Sequence, residues 1–310
     1  RAFSFSCMLR FSLDKETLRL AKKEKNRISS VSSERIREEL FKILDSPAAY
    51  VSLVGLDKLK ILEIIFPEIK PMRGIGQGTY HHLDVWQHSL ETLSQFELII
   101  KGAKKNPQIY DYLREEVAGG RRRSSLLKLA CILHDIGKPK ALRREKKKII
   151  FHGHERVGLG LTRVISRRLK LSNDEGRSLE RIVLWHLRPG YLADNSHPTQ
   201  RAIFRYFRDT GSDALAVLLL SLADQRATKG PLTTALSRVR HEKTVKVLIR
   251  KLLKQKDEKK LVRLLNGNDL MGKFKLPASP IIGKLLVEIE EAQAIGKIKN
   301  RKEALKLAAK

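Results

Sequence analysis

The sequence predicts an all-α protein in three helical parts, and three observations carry that expectation. Apolar residues recur at helical spacing along most of the chain, as at Ile36, Leu40, Ile43 and Leu44. Capping residues stand in front of such runs, with Ser172 three residues before Glu175 and Ser279 directly before Pro280. Prolines and glycines stand behind them, among them Pro47, Pro67 and Gly296, where the helical ladder cannot easily continue.

Residues 1–72 read as a helical neck. An Asp14-led segment comes first, then a helix ending at Leu44, whose free first-turn N–H groups Ser32 or Ser33 can bind. Asp45-Ser-Pro47 ends it, and a further helix is expected around Leu56 to Ile65, closing at Phe66-Pro67. Arg73 to Gly78 is turn-prone and reads as a hinge. Gly74-Ile-Gly76-Gln-Gly78 is no phosphate loop, because no strand precedes it and no Lys-Ser/Thr follows.

Residues 73–230 read as a body. His88 lies on an amphipathic segment whose apolar face is Val85, Leu90 and Leu93. The apolar run from Leu126 to Leu133 carries the adjacent pair His134-Asp135 to its end, where Gly137 and Pro139 are expected to stop the helix. Arg143 to Lys148 reads as a basic turn, the capped helix from Ser172 runs to His186 with Arg188-Pro-Gly190 as its terminator, and a long apolar run from Asp213 ends at Asp224. In the tail, 231–310, Val239 to Leu253 makes a basic helix and Gln255 to Lys260 is charged and exposed. Asn266 to Asp269 is a turn into a short helix. The helix from Pro280 buries Ile281, Ile282, Leu285, Leu286, Ile289 and Ala292, a unit that could equally serve as a dimerisation surface.

A chain of 310 residues with 42% hydrophobic content can build a packed core, in about two to three domains. Its 63 Lys and Arg against 34 Asp and Glu leave a net charge of +29, which points to a polyanion as partner. The cations cluster at Lys22 to Lys25, at Arg121, Arg122 and Arg123, at Arg143, Arg144, Lys146, Lys147 and Lys148, and at Arg167, Arg168 and Lys170. Only 6% of residues are aromatic, so phosphate and shape contacts are favoured over base stacking. Two cysteines, Cys7 and Cys131, exclude a disulfide framework and suit the cytoplasm. No apolar run approaches the roughly 20 residues of a membrane span; Ala214 to Ala223 is the longest candidate. The opening Arg1-Ala-Phe-Ser-Phe-Ser begins with Arg rather than Met and reads as a chain entered part-way, not as a targeting peptide.

Neighbouring residues on a helix point about 100° apart, so one ion takes both His134 and Asp135 only at a kinked helix end. Taken with His88 upstream and Asp224 downstream, the set His, His-Asp, Asp on three helices resembles the HD superfamily of metal-dependent phosphohydrolases. Two imidazoles and two carboxylates suit Mn, Fe, Co, Ni or Zn, with Mg less natural. The binuclear HD enzymes use two further histidines, and the resemblance implies that His154 and His186 hold a second ion with Asp135 bridging. Two ions about 3.5–4 Å apart would clamp a phosphate for hydrolysis. On residue chemistry alone, His154 could instead cap the helix at Glu155, and His186 could hydrogen-bond within the core. Lys138 either reaches a substrate phosphate or complements the helix dipole. His81 and His82 read as supporting or loop residues; His152, His197 and His241 read as ordinary.

A second resemblance covers essentially the whole chain. Arg1 to Thr17, Val31 to Leu40, Tyr80-His-His-Leu-Asp-Val-Trp-Gln-His88, Phe151-His-Gly-His-Glu155, Leu264 to Met271 and Pro280 to Ile298 run in the same order as in bacterial class II tRNA nucleotidyltransferases, the CCA-adding and poly(A) polymerase family. Ser4 and Arg10 depart from it, standing where the family usually has Arg and Gly. The resemblance implies tRNA or another structured RNA as partner, held by the neck and tail for 3′-end addition or repair. It also implies an HD body that hydrolyses phosphate esters or cyclic phosphates with one or two divalent ions. Nucleotidyl transfer in that family needs a head with a Gly-Ser motif and paired carboxylates, which would lie upstream of Arg1, and only with it are ATP and CTP cofactors. Two other readings compete: a free-standing HD phosphohydrolase acting on nucleotides, and a non-catalytic RNA-binding module.

Overall fold

The computed structural model describes residues 1–145, 148–194, 198–257 and 262–309. Lys146, Lys147 and His197, with the charged stretch to Lys260, fall outside the residues or side chains so described. In order, the helices of the first third are α1 Ala2–Leu9, α2 Lys15–Glu24, α3 Ser33–Asp45, α4 Ala49–Lys58, α5 Leu62–Ile65, α6 Val85–Ala103 and α7 Pro107–Arg114. A hairpin of β1 Glu116–Ala118 and β2 Arg121–Arg122 precedes α8 Arg123–Leu133 and α9 Lys138–Ala141. A second hairpin, β3 Arg143–Glu145 with β4 Lys148–Ile150, leads to α10 His154–Arg168, α11 Asn173–Trp185, α12 Arg188–Asp194, α13 Gln200–Thr210 and α14 Ala214–Ala227. The tail holds α15 Ala235–Asp257, α16 Gly267–Phe274, α17 Pro280–Ala294 and α18 Arg301–Ala308. The fold is all-α with two small hairpins.

One apolar core runs from Leu40 to Leu253, so neck, body and the first tail helix are packed as one unit across the expected divisions at 72 and 230. Its axis is α14, in which every residue from Ala214 to Ala223 is buried. A helix that is apolar all round belongs in an interior, and α6, α8 and α15 pack around this one. Among the described residues no helix is long and apolar enough to cross a membrane. A second, smaller core gathers Leu265, Leu270, Ile282, Ile289, Ala292, Ile298 and Ala304.

Several elements differ from the sequence expectation. The helix expected over Leu56 to Ile65 is two helices, because Lys60 turns left-handed at φ 62° while the N–H of Ile61 reaches back to the Leu56 carbonyl at 3.0 Å. That closure normally uses glycine, so nothing in the sequence marked it. Pro139 sits in the first turn of α9 instead of ending α8, and Arg188-Pro-Gly190 opens α12 instead of merely terminating α11. Both prolines occupy positions where the missing N–H costs nothing. Where a basic turn was expected, Arg143–Glu145 and Lys148–Ile150 pair as antiparallel strands. Ser32 precedes α3 but makes no capping hydrogen bond, and Ile281 is 57% exposed. The Ser172–Glu175 capping box is present.

Two contacts fix the body around the His134-Asp135 turn. The buried Glu175 carboxylate accepts from Arg121 Nε at 2.6 Å and Nη2 at 3.0 Å, which ties β2 to the start of α11. Gly137 packs so closely on α10 that a Cβ there would lie 2.1 Å from the His154 carbonyl oxygen and 2.6 Å from the Gly158 nitrogen. Arg121→Ala leaves a buried carboxylate unpaired and is expected to cost about 3–5 kcal/mol, measured by urea denaturation; a loss under about 1 kcal/mol would mean that Glu175 is satisfied without it. Gly137→Ala is expected to lower the melting temperature and push α10 off the turn, and an unchanged melting curve and near-ultraviolet circular dichroism would contradict the close packing.

Candidate metal centre

The centre is assembled from the ends of five segments. Asp84 caps α6, accepting from the Gln87 N–H at 2.7 Å, and its other oxygen accepts from the Gly74 N–H at 2.9 Å, which fixes the hinge to the helix carrying His88. Helix α8 stops at Leu133, and His134 and Asp135 occupy the turn before α9. The kink expected at this pair is therefore present, and it lets both side chains face one point. His154 is the first residue of α10, after Gly153 at φ 79°; His186 closes α11; Asp224 lies one turn before the end of α14.

Asp135 divides the site. Its Oδ2 lies 3.1 Å from His134 Nε2 and 3.7 Å from His88 Nε2, while its Oδ1 lies 3.2 Å from His154 Nε2 and 3.7 Å from His186 Nε2. Asp224 Oδ1 sits on the first side, 2.8 Å from His88 Nε2 and 3.8 Å from His134 Nε2. Ligand atoms of His88, His134 and Asp224 form one group within 4.8 Å of one another, and those of Asp135, His154 and His186 form a second. All six residues are thus brought together, with one carboxylate reaching both groups.

Three of the rings are oriented by carbonyl acceptors. His134 Nδ1 donates to Cys131 at 2.8 Å, His154 Nδ1 to Phe151 at 2.8 Å and His186 Nδ1 to Val183 at 2.7 Å. With Nδ1 so occupied, each ring turns its Nε2 towards the centre, the arrangement that backbone acceptors impose on metal-binding histidines. His134 Nε2 is buried without a hydrogen bond, and the Nε2 atoms of His154 and His186 face each other at 3.3 Å. Buried lone pairs that converge without donors fit cations, so the residues suit one ion per group.

The electrostatics agree. Burial alone would raise the Asp135 carboxyl, yet His134 and Lys138 hold it well below the ordinary carboxylate range. Asp224 is likewise lowered, against burial, by the His88 bond and by His134. Burial pushes His186 down, while His134 is raised because the adjacent Asp135 outweighs its burial. His81, expected as a supporting residue, packs edge-on to His88 at 4.8 Å between ring centres and is pushed down to about 3, first by burial and then by His88.

Lys138 is placed differently from expectation. Its Nζ is buried between Asp135 Oδ2 and Gln77 Oε1, each at 2.6 Å, and the residue begins α9. There it pairs with the Asp135 carboxylate. Gln77 was missed, because in sequence it is part of a hinge. The basic clusters also divide. Arg121 pairs with Glu175 and Glu38, Arg123 with Glu115 and Asp213, and Arg168 with Glu68, so these three hold the protein together. Arg122, Arg143, Arg144, Lys148 and Arg167 are exposed. Arg122 lines a cleft of about 740 Å³ with Arg10, Lys101, Lys104 and Arg114.

Comparison with known proteins finds three family profiles in succession. Residues 10–73 match the "Probable RNA and SrmB-binding site of polymerase A", residues 85–229 the HD domain and residues 163–309 "tRNA nucleotidyltransferase domain 2". The chain is similar to the A-adding tRNA nucleotidyltransferase of Deinococcus radiodurans, 30% identical over 98% of this chain and 65% of that protein. It is also similar to the CC-adding tRNA nucleotidyltransferase of Thermus thermophilus, 28% identical over 87% of this chain and 55% of that one. The chain thus spans less than two thirds of the length of these relatives. Its fold is shared with a CCA-adding enzyme in its apo form, at a TM-score of 0.54 and 17% identity over 99% of this chain and 57% of the other. The Thermotoga maritima CCA-adding enzyme complexed with tRNA gives 0.51 and 16% over 100% and 59%. With RNA-binding, HD and second-domain profiles in this order and a relative aligned along nearly all of it, the chain belongs to the class II tRNA nucleotidyltransferase family, matching its C-terminal part.

Proposed function

We propose that this chain is the RNA-holding and phosphohydrolase part of a tRNA nucleotidyltransferase that adds to or repairs tRNA 3′ ends. The observation that carries the hydrolytic half is the Asp135 carboxylate reaching two histidine-containing groups at once. His88, His134 and Asp224 would hold one divalent ion, His154 and His186 a second, and Asp135 would bridge them. The donor set favours Mn, Co, Ni or Fe over Mg. Bound ions supply Lewis-acid polarisation of a phosphoryl oxygen and a more acidic water. This chain's own residues fix the geometry: the carbonyls of Cys131, Phe151 and Val183 hold the imidazoles in register, and Lys138 with Gln77 holds the carboxylate. The reaction is hydrolysis, in which water adds to phosphorus and the ester oxygen leaves with a proton.

The RNA half rests on charge. A net +29 with Arg10, Lys101, Lys104, Arg114 and Arg122 around one cleft supports a phosphate-tracking surface at the junction of neck and body. The exposed Arg143, Arg144 and Lys148 offer a second basic edge on the hairpin before His154. The expected neck of 1–72, body of 73–230 and tail of 231–310 stay as functional divisions in this proposal, although neck and body share a core.

Elemental analysis after loading with Mn or Ni is expected to find two ions per chain, with His186→Ala losing one and Asp135→Ala losing both. Release of phosphate from an aryl phosphate should fall more than about a hundredfold in Asp135→Ala. A wild-type chain that takes up no ion would remove the hydrolytic proposal. For RNA, Lys104→Glu with Arg122→Glu should weaken tRNA binding and flatten its dependence on salt by about one unit of log–log slope per lost contact. A slope identical to that of the unaltered chain would place the RNA elsewhere.

A further inference from the structure

A cavity of about 290 Å³ shares two walls with the metal centre, His186 and Asp224. Other parts of its lining come from the tail helix α15, through Ser237, Arg240 and His241, and from Tyr80 and Tyr191. His241 is only 7% exposed. Its Nε2 lies 3.1 Å from Ser221 Oγ, and its Nδ1 is buried with no partner. Arg240 Nε is buried and equally without a hydrogen bond, and Arg240 enters none of the ion pairs found among the described residues. Arg121 and Arg168, by contrast, close bidentate pairs with Glu175 and Glu68. A guanidinium left open beside a cavity wall matches a phosphate, whose oxygens its fork can take two at a time. The exposed Asp194 also lines the space, and an anion bound there has Arg240 to offset it.

Size limits the ligand. The volume lies at about the low end of the 300–1,000 Å³ of small-molecule sites, enough for one nucleotide but not for a helical segment of RNA. Tyr80 and Tyr191, 58% and 59% exposed, give ring surface on which a base can rest. Ser237 and the unpartnered nitrogen of His241 offer hydrogen bonds to ribose hydroxyls.

We propose that Arg240 and His241 form the substrate subsite of the metal centre, taking a ribose phosphate monoester of single-nucleotide size. The inference rests on the phosphohydrolase reading, and it gives α15, placed in the tail by sequence, a part in the body's chemistry. Its ligand is either a free mononucleotide or the terminal nucleotide of an RNA carrying a 3′-phosphate.

The test is calorimetric titration of adenosine 3′-monophosphate, and separately of a short oligoribonucleotide ending in 3′-phosphate, into the Mn-loaded and the EDTA-stripped chain. Arg240→Ala is expected to keep the wild-type metal content and melting temperature while weakening binding about tenfold to a hundredfold, with partial recovery in Arg240→Lys. Tighter binding of the mononucleotide than of the oligonucleotide identifies a free metabolite, and the reverse an RNA end. Absence of metal in the wild type overturns the phosphohydrolase reading alone, since nucleotide binding that still depends on Arg240 in the stripped chain upholds the subsite. Equal affinity of wild type and Arg240→Ala, or no binding by either in both metal states, overturns the subsite itself.

Discussion

The structure depends on one buried carboxylate. Asp135 is 1% exposed and surrounded by Lys138 and four imidazoles drawn from α6, α10, α11 and its own turn. A charge taken out of water at that depth is tolerable only if it is compensated from several directions. The turn must therefore be tight, α10 must approach within contact of Gly137, and the hinge must deliver Gln77 to hold Lys138. The apolar packing of α14 against α6 and α8 supplies the rigid frame in which these approaches are held.

The fold was legible in the sequence where periodicity and capping chemistry were strong, and less so where a closure was made by an unexpected residue. Ser172 and Glu175 announced α11 through a capping box, and the all-apolar run before Asp224 announced a buried helix. The break at Lys60 was hidden because a lysine adopts the left-handed conformation that glycine usually marks. Pro139 and Pro189 were read as stops, although each starts a new helix, since proline is equally at home after one helix and in the first turn of the next.

The site was more legible than the surface. Histidine and aspartate placed at helix ends are few, and the chemistry that needs them is narrow, so His88, His134, Asp135, His154, His186 and Asp224 could be chosen from spacing and resemblance, and all six converge. Arginines are many, and one-dimensional clustering does not say which face acidic partners. Arg121, Arg122 and Arg123 are consecutive, yet the first and third are half-buried and tied to Glu175, Glu115 and Asp213, whereas the middle one is exposed and, among the described residues, meets only the solvent-facing Asp45, at 3.6 Å. Gln77 had no signal in sequence, because its contact with Lys138 comes from long-range packing.

The joint between the last core and the rest is built differently from either. Helix α17 meets α13 through Glu291, 7% exposed in its side chain, which receives Arg201 at 2.5 Å and Arg205 at 2.7 Å from half-exposed guanidinium groups. Solvent-facing ion pairs weaken as mobile ions screen them, whereas apolar packing does not. The end of the chain is thus fastened by the same kind of force that would attract a nucleic acid. Raising ionic strength would loosen the grip of the tail on its own body together with its grip on a polyanion, so that holding and releasing become one ionic event.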